Sequence, residues 1–525
     1  MKKVKFIAIV LLLAAVIGVA AGCGKTSDLN PDGLSNCLAV DSSVTYQTMT
    51  GWGASSAWWS QTVPAGSAAQ QALAETLYSE NGLGLTIYRY NIGGGSAEMG
   101  AEQGINYVQE RKAYSLFDSS KYDESKSLPE NFSDFSKYSI DKDINAVSFL
   151  QQCLKQPGST VEKVVVFVNS PHYLLTANGK THGTNEYDSN LPEENYEAFA
   201  AYVINCVRLL IANGIKVDTI SPVNEPQHKW GGAGSTQEGC HYEPAEAAKV
   251  INTLYNAIEE YNSSSTASLD VTISAVESGN YTSYDVKSRA VEYIYELSKY
   301  PCFTHLDGFS VHAYGEPMSN EARLSYVSRI ANILPEGYVP QYDMTEVCHM
   351  EGGVDAGIDS AVYVAKMMDK DLQYLGARSW SWWIAVSDYD YNDGLVYWDY
   401  FFPSADDPDK TVSTEIKYVK RYYAMMQYSK YVQTGDTRVD LQWLNASSAY
   451  GDELSGTAFL RKDGTVTIVL VNDSTKNYPV NIAGGYTDMT IATTDANNDC
   501  AVTYDGAFKQ SVVIGANSVT TIVLK

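Results

Sequence analysis

The middle of the chain repeats one pattern eight times. A short, β-rich apolar run is followed by a longer segment with helical spacing. The runs are YQTMTGWG (46–53), LTIYRYNI (85–92), KVVVFVNS (163–170), VDTISPVN (217–224), LDVTISAV (269–276), HLDGFSVH (305–312), YVPQYDMT (338–345) and ARSWSWWI (377–384). Helix-like stretches such as 68–80, 195–213, 245–261 and 360–376 lie between them. The runs are almost continuously apolar, as parallel strands covered on both faces must be. Eight such units over roughly 380 residues predict an α/β fold, a (β/α)8 TIM barrel spanning residues 49–430. A doubly wound open sheet is the second architecture this pattern allows.

The texture changes after about residue 430. TAFLRKDGTVTIVLVND (457–473) alternates around Asp463-Gly464, a hairpin signal, and further short strands run to the end. Residues 431–525 therefore read as a C-terminal antiparallel β-domain.

The N-terminus reads as an export leader. Lys2, Lys3 and Lys5 precede an apolar stretch, 6–21, that is short for a membrane span. It ends in Ala20-Ala21-Gly22-Cys23, similar to a bacterial lipoprotein signal over 1–23, with Cys23 the residue to be lipidated. A plain secretory signal is the simpler alternative. Residues 24–37 read as a polar tether. The membrane is expected to be a partner only through an anchor at Cys23, which implies an exported, cell-surface protein. The eight cysteines show no metal-type spacing, and without Cys23 their number is odd, so no disulfide framework is expected.

Charge narrows the partners. Against 37 basic residues stand 62 acidic ones, a formal net charge of −25. Such a field repels polyanions, so nucleic acid is not expected as a partner. The sequence contains no GxSxG elbow and no HExxH pair, and its seven histidines are dispersed, so neither a metal nor another cofactor is called for.

In a (β/α)8 barrel the reactive side chains come from the C-terminal ends of the strands. Run 4 exits into Asn224-Glu225-Pro226 and run 7 into Thr345-Glu346. These two strand-exit glutamates form the candidate pair. Two carboxylates facing each other across a barrel mouth suit glycosidic bond cleavage, one protonated and one ionised. Pro226 restricts the backbone behind Glu225. Taken singly, each glutamate has an ordinary explanation as a turn residue. Tryptophans point the same way: Trp52, Trp58 and Trp59 around run 1, Trp230 after run 4, and Trp380, Trp382 and Trp383 in run 8. Their flat rings suit sugar faces, although each alone is also an ordinary core residue.

These motifs resemble glycoside hydrolase family 30. GWGASSAWW (51–59) is similar to the family's first strand and loop. GLTIYRYNIGGGS (84–96) is similar to the second, placing Arg89 near the nucleophile. VNSPHYLLT (168–176) matches the third-strand motif, contributing Asn169, with His172 where a second proline is usual. ISPVNEPQ (220–227) resembles the acid/base motif, which gives Glu225 that role and Asn224 a sugar hydroxyl. DMTEVC (343–348) resembles the nucleophile motif and gives Glu346. The resemblance also implies that 38–48 adds an N-terminal strand to a side β-sandwich domain. AWW (57–59) and AVSDYDYNDGLVY (385–397) look most like the endo-β-1,6-galactanase branch, with β-1,6-glucanase or xylanase as alternatives. His312 and Tyr314, just past run 6, are candidates to orient the nucleophile or bind sugar. The implied substrate is a neutral β-linked polysaccharide or oligosaccharide, cleaved with retention by double displacement. A lipoprotein that captures carbohydrate without cleaving it is the reading from another class, but a binder has no use for an acid–nucleophile pair.

Overall fold

The structure is a computed structural model that describes residues 29–100, 104, 111–265, 267–281, 290–315, 317–398 and 415–525. The leader and Cys23 lie outside the described residues. Eight parallel strands close into a barrel: β2 (Gly51–Ser55), β3 (Ile87–Ile92), β4 (Lys163–Val168), β5 (Thr219–Ser221), β6 (Thr272–Ser278), β7 (Leu306–His312), β8 (Tyr342–Glu346) and β9 (Ala377–Trp382). Each predicted run falls on one of them. Closure is made by β2 against β9, with Trp52 opposite Trp380. The outer layer is built from α1 (Ala68–Tyr78), α2 (Ile144–Lys155), α3 (Tyr196–Ala212), α4 (Pro244–Ser264), α5 (Ala290–Leu297), α6 (Asn320–Ala331), α7 (Ile358–Lys370) and α8 (Lys420–Ser429).

Local chemistry sets several boundaries. Ser67 caps α1 by accepting from Gln70 N. Glu243 and Glu246 form a reciprocal capping box on α4, and Pro244 stands at its first position, where a missing N–H is tolerated. Strands β3 and β4 are buried along almost their whole length, as the continuous apolar runs require.

The chain enters the fold through a different sheet. β1 (Cys37–Thr48) pairs antiparallel with β13 (Thr437–Leu444) and parallel with β16 (Tyr478–Ile482). With β14 (Leu454–Leu460), β15 (Val466–Asn472), β17 (Asp488–Thr494), β18 (Ala501–Ala507), β19 (Ser511–Ile514) and β20 (Ser518–Leu524) it completes a nine-stranded, mostly antiparallel, sandwich-like sheet. Its separate core includes Leu38, Val439, Ile468, Leu470, Val480 and Ile522. The run at 46–53 is thus two strands. Tyr46–Thr48 belong to the side sheet, and the barrel begins only at Gly51. The sheet docks on the barrel's helices, where Gln427 of α8 donates to Thr494 and accepts from Thr521.

A small sheet roofs one side of the barrel mouth: β10 (Val386–Ser387), β11 (Val396–Trp398) and β12 (Ile416–Tyr418). All seven cysteines among the described residues are free and buried. No described helix is long and apolar enough to cross a membrane.

Candidate active site

Four consecutive strand ends bring charge to one point. Glu225 lies just past β5, Glu277 is the second-last residue of β6, His312 ends β7 and Glu346 ends β8. Arg89, in the middle of β3, reaches in from the barrel interior. All five are nine-tenths or more buried. Two of them are held in the left-handed region, Glu225 at φ +43° and Glu277 at φ +52°. Residues with a Cβ pay a conformational cost there, so the surrounding bonds must fix them. Glu225 N donates to Glu277 O at 2.9 Å, and Trp230 Nε1 donates to Glu225 O at 2.8 Å. Gly279 is needed beside it, because a Cβ there would stand 2.9 Å from Glu225 Oε1.

His312 ties the acids together. Its Nδ1 lies 2.9 Å from Glu225 Oε1 and its Nε2 lies 2.9 Å from Glu277 Oε2. Glu346 receives Arg89 Nη1 at 3.2 Å on one oxygen and the Tyr314 hydroxyl at 3.1 Å on the other. Glu277 also accepts the Thr345 hydroxyl, and Arg89 Nη2 stands 3.7 Å from it. Single donor atoms of Glu225, His312 and Glu346 all fall within 4.8 Å of one another. Carboxylates this close match the roughly 5–5.5 Å spacing of retaining glycosidases, not the roughly 6.5–9.5 Å spacing of inverting ones.

Three carboxylates face two cationic side chains, and the proton affinities follow. Burial disfavours a charged His312 ring, but Glu346, Glu225 and Glu277 outweigh it and push the imidazole up to about 10. Burial works on Glu277 too, yet Arg89, His312 and Thr345 hold it down to about 2. Glu225, equally buried, is kept below the usual carboxylate range by the hydrogen bond and charge of His312. Glu346 goes the other way: burial raises it, and His312 and Arg89 pull back only in part. Arg89 reaches the nucleophile as the resemblance implies, but burial among other acids is the larger influence on Glu346. The exchangeable proton of the Glu225–His312 pair therefore resides on His312.

The open cleft above these residues holds about 450 Å³, and its walls include Trp230, Gln227, Asn280, Tyr314, Trp383 and Asp393. Trp230 and Trp383 thus reach the cleft, and Trp58 packs edge-on against Trp383 at 5.3 Å. Asn224 is buried with Oδ1 unpartnered, and Asn169 donates to Asn91 Oδ1 at 3.2 Å.

Three tryptophans expected as sugar platforms are core residues instead. Trp52 donates its indole N–H to Val432 O and packs on Tyr428. Trp59 donates to Ser55 O and packs on Phe149. Trp380 donates to Asp371 under the helical layer. In a barrel strand alternate residues face inside and outside. Trp52 and Trp380, opposite each other in register, both face out. His172, at the usual proline position, is wedged among Phe117, Phe132 and Tyr202. Its burial holds the ring down to about 3, so it packs as a neutral group.

Glu277 is absent from the pair that the sequence argument selects, although it follows run 5 directly, as Glu225 and Glu346 follow runs 4 and 7. Asp393, Gln227 and Asn280 lie in loops, where no periodicity marks them.

Comparison with known proteins agrees with this geometry. The model of O-glycosyl hydrolase family 30 matches residues 35–397, and that of the family's β-sandwich domain matches 436–522. The chain belongs to glycoside hydrolase family 30. An endo-β-1,6-galactanase of Hypocrea rufa is 28% identical over 228 residues, which cover 41% of this chain and 45% of that protein. An exo-β-1,6-galactobiohydrolase of Bifidobacterium longum subsp. longum is 26% identical over 200 residues, 35% of this chain and 13% of that protein. The chain therefore spans less than half the length of these curated relatives. Among solved structures, a conserved exported protein from Bacteroides fragilis superposes with a TM-score of 0.76 at 20% identity, covering 93% of this chain and 100% of that one. The catalytic domain of family 30 xylanase C from Talaromyces cellulolyticus gives 0.66 at 18% identity, with coverage of 93% and 100%. Identities this low speak for the shared fold alone.

Proposed function

We propose that this family 30 glycosidase cleaves β-1,6-galactan of arabinogalactan type, with retention, by double displacement. The observation that carries the retaining mechanism is the approach of Glu225 and Glu346 to within 4.8 Å at the barrel mouth. The galactan assignment is supported by the two β-1,6-galactan-active relatives and by the loop motifs after β2 and β9.

In the first step Glu346 attacks the anomeric carbon while the bond to the leaving oxygen breaks. Glu225 delivers the proton to that oxygen. The proton comes from His312 Nδ1, 2.9 Å away, and passes through Glu225, which is left as a carboxylate beside a neutral imidazole until the second step returns the proton. Arg89 and Tyr314 stabilise Glu346 as the carboxylate that must attack. In the second step Glu225 accepts a proton from water, which displaces Glu346 from the glycosyl ester. Glu277 stays anionic and holds His312 in place throughout.

The test is product analysis on β-1,6-galactan, arabinogalactan, β-1,6-glucan and glucuronoxylan. Release of galacto-oligosaccharides whose first-formed anomer is β supports the proposal. Release from glucan or xylan alone moves the substrate to another branch. Binding without release from any of them favours a capture protein. Export and a lipid anchor at Cys23 belong to the same proposal and rest on the leader's basic start and AAGC end. Labelling with a radioactive fatty acid that Cys23→Ser abolishes is the expected result.

A further inference from the structure

Native interiors leave few buried polar atoms without a partner, so those that line an empty cleft mark where a ligand's own groups belong. Three side chains of this cleft qualify: Asp393 with Oδ1, Asn280 with Oδ1, and Gln227 with both amide atoms unpartnered. Asp393 stands apart by its charge, its burial at 4% exposure and the rigidity of its mounting.

The Asp393 carbonyl accepts from two donors, Trp382 Nε1 at 2.5 Å and Ile384 N at 2.8 Å. The residues on either side are clamped by Arg421, itself fully buried. Its Nη1 donates to Asn392 Oδ1 at 3.1 Å, its Nε to Gly394 O at 3.1 Å and its Nη2 to the Tyr397 hydroxyl at 2.5 Å. The loop between β10 and β11 is therefore fixed before any ligand arrives, as a site that orients a substrate must be. It also lies on the nucleophile's side of the cleft. Trp383 N donates to Val347 O at 3.0 Å, and Val347 directly follows Glu346.

We propose that Asp393 is a specificity-determining residue, its free Oδ1 accepting a hydrogen bond from a ring hydroxyl of the sugar that reacts with Glu346. This rests on the glycosidase reading above and adds to it a substrate class for that ring. That class is a hydroxylated ring, its hydroxyl meeting Asp393 while Arg111 lines the same cleft. Gln227 and Asn280, on the Glu225 side, offer the corresponding contacts to the leaving sugar. Asp393 lies within AVSDYDYNDGLVY (385–397), and its role here is argued from an unpartnered oxygen on an over-determined loop.

The experiment is a cycle of enzyme variant against substrate. Wild type and Asp393→Ala are assayed on dinitrophenyl β-galactoside, its 3-, 4- and 6-deoxy analogues, and the β-glucoside. Thermal melting and near-UV circular dichroism check that the variant is folded. Losing a hydrogen bond to a charged group lowers kcat/KM by roughly 10- to 100-fold. The expected result is that one deoxy analogue suffers this loss with wild type and none with Asp393→Ala, since the bond is already gone. A purely structural role lowers all substrates alike and leaves the losses additive. Additive losses, or an unchanged kcat/KM on the parent galactoside, overturn the assignment of Asp393 alone. A wild-type enzyme inert on every glycoside in the set and on the four polysaccharides above overturns the catalytic reading beneath it.

Discussion

Replacing Glu277 by Gln removes one negative charge while keeping the side chain's shape. Glu277 sits 2.9 Å from His312 Nε2 and 3.7 Å from Arg89 Nη2, fully buried. Charges about 4 Å apart at an effective dielectric of about 20 interact by about 4 kcal/mol. The Gln carbonyl still accepts from His312 and Thr345, so a net loss of about 1.5–3 kcal/mol is a reasonable scale for this charged hydrogen bond. That corresponds to about 1–2 pKa units. Removing an anion makes every neighbouring group release its proton more readily, so the direction is downward throughout. His312, held at about 10, loses its proton at about pH 8–9 in the variant. Glu346, which Glu277 helps to raise, also moves down. Both limbs of the kcat/KM–pH profile therefore shift to lower pH, the alkaline one by about 1–2 pH units. The assay is hydrolysis of a β-1,6-galacto-oligosaccharide, whose poor leaving group demands a proton from Glu225. With a dinitrophenyl leaving group the alkaline limb flattens in both enzymes, because the first step then needs no acid. A uniform fall in rate with unmoved limbs would refute the reasoning and reduce Glu277 to a packing role.

Three further outcomes are expected. Glu346→Ala abolishes hydrolysis with the fold retained, and azide restores turnover of an activated β-galactoside to give the α-galactosyl azide; a β-azide reassigns the nucleophile. Gly279→Ala places a methyl group 2.9 Å from Glu225 Oε1, the far end of a side chain rather than backbone. Stability should barely change, while kcat falls about 10- to 100-fold as the acid is displaced from His312, which steady-state kinetics and a melting curve separate. Glu238, buried beneath the glycine loop, accepts from Gly94 N and Ser96 N. Burial, opposed by those bonds, pushes it up to about 7. An acid raised on folding binds its proton more tightly in the native state, so its stabilising contribution is complete below about pH 4.5 and is lost as pH rises through about 7. Glu238→Gln should flatten that decline, by up to roughly 3 kcal/mol, in denaturant titrations at pH 5 and pH 8.

The barrel was legible because eight buried parallel strands leave eight apolar runs in the sequence, and no other feature of the chain is so repetitive. The two strand-end glutamates were legible for a related reason: an acid at the close of an apolar run is conspicuous. What could not be read was which way each residue of a run faces. A run that is apolar on every position carries no period-two signal, so its register on the barrel is undetermined. Runs 1 and 8 do alternate tryptophan with small residues (Gly51-Trp52-Gly53, Ser379-Trp380-Ser381), but alternation alone does not tell the inner face from the outer, so Trp52 and Trp380 looked like residues of the mouth, although they pair across the β2–β9 seam and face the helices. Glu277 was equally legible, since it closes run 5 as Glu225 and Glu346 close runs 4 and 7, and only the two-carboxylate expectation passed over it.

The missing glutamate changes the chemistry more than a missing ring does. With two acids, Arg89 alone would decide which one is ionised. With three acids around His312, the imidazole holds its proton more tightly than Glu225 or Glu277 does. The proton that Glu225 must donate is then kept on His312 and passed across 2.9 Å when the glycosidic oxygen arrives. On the proposed mechanism Glu225 relays that proton and is left ionised, ready to take one from water in the second step and return it to His312. On this view Glu277 sets the pH range of a reaction in which it never touches the sugar.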